Sequence, residues 1–269
     1  MARKPCALPA PNNPDDDLDA LALELKLTTI RAELPKLLSE AEAKTLSYTA
    51  FARAMLQAEA RARRERRYER AIKRARLGCV QGLEGFDFSI REKLVARVVQ
   101  ELLLCEWART ARNLLLIGGP GLGKTRVARA LVQAACLLGM TALATITADL
   151  LDDLQAARAD GSYARVFARY ARLDVLLLDE FGYQGFSAQA TNDLFRLVAA
   201  RHGVHSTILC SNVGFRKWVT LFPSEGQAVA AVDRLIDDAT ILRFTGPSCR
   251  RPHPDKPGAG SPTDDGGSE

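Results

Sequence analysis

Long apolar runs are missing from this chain: its longest unbroken hydrophobic stretches fall far short of the ~20 residues needed to cross a bilayer as a helix. That excludes a helical membrane span. The opening MARKPCALPAPNNPDDD carries no apolar signal core, so a cytoplasmic location is expected. Cysteine and histidine are present without pattern. Cys6, Cys79, Cys105, Cys136, Cys210 and Cys249 are scattered, form no CxxC pair, and have only three histidines with which to complete a metal site. Reduced, structural thiols are the expectation. No internal repeat is present. What remains is a 269-residue chain with 47% hydrophobic residues, enough to bury the core of one large domain or two modest ones. A net charge of +5 permits a polyanionic partner without requiring one.

Where the charge and the breakers fall is more informative. Residues 1 to 17 are rich in Pro, Asn and Asp, and residues 252 to 269 in Pro, Gly, Asp and Ser, so both ends are expected to be disordered tails. From 18 to 77 the pattern is helical. Leu21, Leu25 and Leu27 begin an apolar set that Pro35 should interrupt. Ser47 then reads as an N-cap, with Phe51, Met55, Ala58 and Ala62 following at helical spacing. This predicts a small all-helical N-terminal domain. Its last helix ends in RARRERRYERAIKRAR, where the apolar stripe lapses and Glu65 and Glu69 are too few to neutralise the bases. A solvated helix laced by i,i+4 pairs is the plain interpretation. The sharper one is DNA contact through phosphates by Arg61, Arg63, Arg64, Arg66, Arg67, Arg70, Lys73, Arg74 and Arg76, with Tyr68 either stacking on a base or packed.

A second domain, 78 to 251, opens with a hinge-like connector, Gly78 to Gly85, and the aromatic pair Phe86 and Phe88. Core packing and flanking of a nucleotide base are both open to that pair. Leu94, Val95, Val98, Val99, Leu102 and Leu103 share one helical face. Apolar strands near Asn113–Ile117, Thr141–Ile146, Asp174–Asp179, Thr207–Cys210 and Ile241–Phe244 alternate with helical segments, predicting an α/β fold whose parallel sheet is covered by helices.

The run from Gly118 to Thr125, GGPGLGKT, lies between the first of these strands and a helix, which is the context a phosphate-binding P-loop requires. Gly118, Gly119, Pro120, Gly121, Leu122 and Gly123 shape a loop whose N–H groups face inward, and the helix N-terminus adds positive potential. Lys124 can reach the β- and γ-phosphates, Thr125 can ligate Mg²⁺, and Arg126 is expected to bind the nucleotide with the rest of the loop. About 55 residues on, Val175–Leu178 leads into Asp179 and Glu180. Asp179 suits the Mg²⁺ shell, and Glu180 suits a base that deprotonates water, a role hydrolases need and small-molecule kinases do not. Asn212, after the next strand, either faces the γ-phosphate or closes a local turn. Arg234 lies among Asp233, Asp237 and Asp238, either as an intrahelical ion-pair partner or as an arginine finger for a neighbouring subunit.

With these residues in view the chain resembles the IstB-like ATPases, AAA+ helper proteins of bacterial insertion sequences that are related to replicative helicase loaders. The resemblance runs from about Leu25 to Arg251 and is carried by LSYTAF and ARRERR, LEGFDFS, GGPGLGKT, LLLDEFGY, CSN and VDRL in that order. It implies an AAA+ P-loop NTPase preceded by a DNA-binding helical domain, assembling as a homo-oligomer on double-stranded DNA with ATP and Mg²⁺ and helping a transposase. It also implies that Lys124 and Thr125 belong to Walker A, Asp179 and Glu180 to Walker B, Asn212 to sensor 1, and Arg234 to the finger. Family members commonly carry Thr at Leu122 and His at Arg126, and their usual ending GESYR is GPSCR here, Gly246 to Arg250. A replicative helicase loader, an ATP-binding DNA scaffold that does not hydrolyse, and a small-molecule kinase are the competing functions. The kinase would leave the basic helix without a role.

Overall fold

A computed structural model of the chain describes residues 14–78, 82–89, 96–223, 225–246 and 248. They form two compact units that divide between Lys73 and Arg74. Leu94, Val95 and Arg250 lie outside the described residues.

The first unit holds α1 (Pro14–Glu24), α2 (Thr28–Ala43) and α3 (Tyr48–Arg74). Helix α1 begins inside the segment expected to be a tail. Proline at the first helical position loses no intrahelical hydrogen bond, so a helix can begin there. Pro35 does not interrupt α2, which runs through it. The turn ahead of Pro35 is anchored from another helix: the buried Glu59 carboxylate of α3 accepts from Thr29 N–H at 2.9 Å and Ile30 N–H at 3.2 Å. Those are first-turn donors with no intrahelical acceptor, so Glu59 caps α2 from outside. Ser47 Oγ accepts from Ala50 N–H at 3.3 Å at the start of α3.

In the second unit come α4 (Ala96–Leu102), α5 (Glu106–Arg109), β1 (Leu114–Gly118), α6 (Lys124–Leu137), β2 (Ala142–Ile146), α7 (Thr147–Ala159), α8 (Tyr163–Ala171), β3 (Val175–Phe181), α9 (Ala188–Arg201), β4 (Ser206–Ser211), α10 (Phe215–Trp218), α11 (Glu225–Ile236) and β5 (Thr240–Phe244). The five strands form one sheet in the order β2-β3-β4-β1-β5 with every pairing parallel. Leu114–Leu116 and Val175–Leu178 are buried throughout, as strands covered on both faces must be. The order matters for the site, because β4 lies between β1 and β3. Whatever follows β4 therefore sits between the loop after β1 and the carboxylates of β3.

Below the sheet's carboxyl edge, Arg201 of α9 is almost fully buried and donates to the carbonyls of Tyr170, Leu173 and Ser206, which ties the end of α8 to the starts of β3 and β4. Cys105, Cys136 and Cys210 are buried and free, and burial pushes the thiols of Cys105 and Cys136 up to about 11, so all three behave as packing residues.

Candidate nucleotide site and basic helix

The P-loop joins β1 to α6 at the carboxyl edge of the sheet. Gly118 pairs with Phe244 of β5, and a Cβ there would stand 2.3 Å from the Phe244 carbonyl oxygen, so only glycine lets the two strands run together. Gly123 is the N-cap of α6 at φ 90°, a left-handed conformation that suits glycine, and no side chain caps the helix. The first-turn N–H groups are thus left for an anion, as phosphate binding requires. Lys124 is 6% exposed, and its Nζ donates to the carbonyls of Gly118 and Gly119 and to Asn212 Oδ1, each at 2.7 Å. Asn212 is therefore brought to the P-loop and is not merely a turn residue. Pro120 is exposed at the loop's tip and Leu122 is buried beneath it.

From the first turn of α6, Thr125 Oγ1 donates to Oδ1 of Asp179 on β3 at 3.3 Å, joining the residues expected at a metal. A hydroxyl and a carboxylate at that spacing beside the anion nest fit Mg²⁺, a hard cation that keeps few protein ligands. The strand does not end at the carboxylates as the sequence led one to expect. It continues to Phe181, and its register against β4 passes from Leu178↔Leu209 to Phe181↔Ser211. Three steps on β3 oppose two on β4, so Asp179 and Glu180 occupy a β-bulge, which re-aims side chains. Glu180 has φ 55° and is exposed. Its own N–H donates to Asp179 Oδ1 at 2.9 Å, and Thr147 Oγ1 donates to the Asp179 carbonyl at 2.8 Å. A non-glycine residue in that region is strained by about 1–2 kcal/mol, a pattern common where side-chain aim matters.

Sequence reasoning passed over Ser211. Its buried Oγ donates to the Phe181 carbonyl at 2.8 Å and accepts from Trp218 Nε1 at 3.2 Å, fixing the ends of β3 and β4 against each other just before Asn212. A polar residue closing an otherwise apolar strand was the available signal.

Arg126 is turned away from the loop it follows. Its Nε donates to the Gly82 carbonyl at 3.2 Å, and its Nη2 donates to the Glu84 carbonyl. Arg234 is elsewhere again. Its carbonyl accepts from Asn113 Nδ2 at 3.4 Å, at the end of β1 opposite the P-loop, and its guanidinium carbon lies 4.8 Å from the Phe195 ring centroid. Five strand residues rise roughly 16 Å, further than an arginine side chain reaches, so Arg234 does not serve its own P-loop. Two of its acidic neighbours pair with other residues: Asp237 with His202 at 2.9 Å and Asp238 with Arg112 at 3.0 Å.

The basic helix also divides. Arg63 pairs with Glu59 at 2.8 Å and donates to the Lys26 carbonyl at 3.0 Å, and Arg66 reaches Glu59 at 3.3 Å and Thr29 Oγ1 at 3.3 Å. These two arginines hold the first unit together, so Glu65 and Glu69 are not the only opposing acids. Burial works to raise the Glu59 pKa, but Arg63 and the two N–H donors outweigh it and hold the carboxyl below its usual range. Arg61 pairs with Glu65 at 3.1 Å and Arg70 Nε donates to the Arg66 carbonyl, while Tyr68 is half-buried. Arg64, Arg67, Lys73 and Arg74 are exposed. Arg76 is not on the helix: α3 stops at Arg74 and Arg76 has φ 55°. Just past the helix the Ala75 carbonyl accepts from Ala144 N–H of the edge strand β2 at 2.9 Å, and Arg76 lines a cavity of about 210 Å³ with Arg129 and Asp179.

A P-loop between β1 and α6, a bulged carboxylate pair on β3 and an asparagine after the intervening β4 define a nucleotide-binding domain of the AAA+ P-loop fold. Comparison with known proteins agrees and narrows this. The sequence matches the family described as IstB-like ATP binding protein over residues 20–256, and the chain belongs to that family. It is 34% identical over 234 residues to the ATP-binding protein of insertion sequence IS21 from Pseudomonas aeruginosa, covering 87% of this chain and 88% of that one. An insertion-sequence ATP-binding protein of Mycobacterium tuberculosis is 30% identical over 84% of this chain and 90% of its own length. Among solved structures the DnaC helicase loader is similar with a TM-score of 0.50 and 20% identity, covering 55% of this chain and 87% of that one. AMPPCP-bound DnaA from Aquifex aeolicus gives 0.54 and 19%, covering 63% and 51%. At those identities the likeness is one of fold. Among the described residues no helix is long and apolar enough to cross a membrane.

Proposed function

We propose that this ATP-binding protein is a cytoplasmic, Mg²⁺-dependent and DNA-dependent ATPase that assembles with ATP on double-stranded DNA. There it assists a partner transposase in target selection and strand transfer. The observation that carries the ATPase reading is the meeting of three strand ends: Lys124 with Asn212, and Thr125 with Asp179, beside Glu180. Lys124 neutralises charge on the β- and γ-phosphates, and Thr125 with Asp179 would hold Mg²⁺, which spreads the phosphate charge when bound. Asn212, with Oδ1 accepting from Lys124, keeps its amide donors for orienting the attacking water. Glu180 takes the proton as the water oxygen bonds to the γ-phosphorus and the bond to the β-bridging oxygen breaks. A non-hydrolysing scaffold has no use for a strained Glu180.

The DNA reading rests on the exposed bases of α3, and the transposase reading on the insertion-sequence names of the relatives. A replicative helicase loader would share the chemistry and differ in partner; the family membership favours the transposase. Sedimentation of Glu180→Gln on duplex DNA tests the assembly. The account expects a DNA-bound oligomer with ATP and none without nucleotide; equal sedimentation in both would count against it.

A further inference from the structure

Residues 82–89 form a strap against the P-loop. A Cβ on Gly123 would stand 2.6 Å from Phe86 Cε2 and 3.1 Å from Cζ, so the Phe86 ring lies directly on the N-cap of α6. Phe88 packs beside it, with ring centroids 4.7 Å apart. The strap turns on itself through Phe86 N–H to the Leu83 carbonyl at 2.9 Å, and Arg126 fastens it to α6. The Arg126 guanidinium spans the Gly82 and Glu84 carbonyls with two separate nitrogens and lies 5.9 Å from the Phe86 ring centroid. Successive helical residues turn by about 100°, so position 126 leaves α6 about 200° round from Lys124 and faces the strap, not the phosphate nest.

We propose that Arg126 is a positioning residue that clamps the 82–89 strap so that Phe86 flanks the base of the bound nucleotide, making Arg126 a determinant of base recognition rather than of phosphate binding. The inference rests on the ATP-binding reading and adds to it a division of labour. The nest and Lys124 hold the phosphates, which every nucleotide shares, and the strap reads the part that inorganic polyphosphate lacks. Guanidinium suits the clamp because its planar fork meets two carbonyls at once, which an ammonium on a flexible stem does poorly.

The test is calorimetric titration of the full chain with ATP and, separately, with tripolyphosphate. Arg126→Ala is expected to weaken ATP about tenfold, within the range of one base–aromatic contact, while changing tripolyphosphate less than about twofold. Arg126→Lys should fall between wild type and Arg126→Ala for ATP. Phe86→Ala should reproduce the split, and adding Arg126→Ala to it should cost little more, since both act through one contact. Equal weakening toward both ligands, or additive losses in the double variant, would overturn the proposal and return Arg126 to the phosphates. Unchanged ATP affinity in Arg126→Ala would overturn it as well. Wild-type chain that binds tripolyphosphate but not ATP would defeat base recognition alone; wild-type chain that binds neither would defeat the nucleotide reading beneath it.

Discussion

At the residue scale the site is built from side chains that meet although they lie far apart in sequence, and each has a separable role. Lys124→Ala should lose a charge-assisted phosphate contact of about 1.5–3 kcal/mol, one to two decades of ATP affinity, readable by calorimetry. Glu180 should behave differently, because the proposed mechanism assigns it to the attacking water and not to the nucleotide. Glu180→Gly ought to abolish turnover while leaving ATP affinity within about threefold of wild type. It should also relieve the φ 55° strain, so that the variant melts no lower than its parent and gains up to about 1 kcal/mol. A lower melting temperature would show that the bulge conformation costs nothing. The sequence made Lys124, Thr125, Asp179 and Glu180 legible because each sits in a short local motif. It did not disclose the bulge, which exists only through the pairing of β3 with β4, nor the turn of Arg126 away from the phosphates, which depends on a strap more than 40 positions upstream.

Helix α3 shows what is gained and lost when an element is interpreted by itself. Its density of arginine was plain, but the expected set of DNA contacts mixed residues of different kinds, among them Arg61 and Arg70, which bond within the helix. Arg63 and Arg66 serve Glu59, Arg76 belongs beyond the helix end, and Arg64, Arg67, Lys73 and Arg74 are exposed. Glu59 was overlooked because its partners Thr29 and Ile30 are 30 and 29 residues away, although its place four positions after Met55 and three before Ala62 put it on the half-buried face. Replacing Arg64, Arg67, Lys73 and Arg74 together with Gln should flatten the dependence of log K on log salt by roughly three to four units on duplex DNA, measured by anisotropy. An unchanged slope would leave α3 a solvated helix. Glu59 carries a separate pH prediction. Its folded pKa is lowered, so its contribution is fully present above the ordinary value of 4.5 and is lost as pH falls below it. Hydrogen exchange at Thr29 and Ile30 should lose protection on acidification through that range in wild type, and should be independent of pH and weaker throughout in Glu59→Gln.

For the whole molecule, the sheet order accounts for how one asparagine meets one lysine, and it also sets Arg234 apart. The parallel α/β fold was legible because five apolar strands alternate with helices, but their lateral order was not, since it is decided by crossovers that leave no local mark. That order puts Arg234 at the far end of β1 from the P-loop, over Phe195. The finger reading then demands a neighbouring subunit: mixing Arg234→Ala with Glu180→Gln should recover some ATPase activity, because one class of interface holds both intact groups. No recovery in confirmed mixed oligomers would make Arg234 structural. Whether the chain is an ATPase switched on by DNA is decided by phosphate release from the wild-type protein with Mg²⁺ and ATP, with and without duplex DNA. Release should rise severalfold with DNA, fall away in Glu180→Gln and weaken as salt is raised; release that is absent, or that is indifferent to DNA and unchanged in Glu180→Gln, would rule a DNA-switched ATPase out.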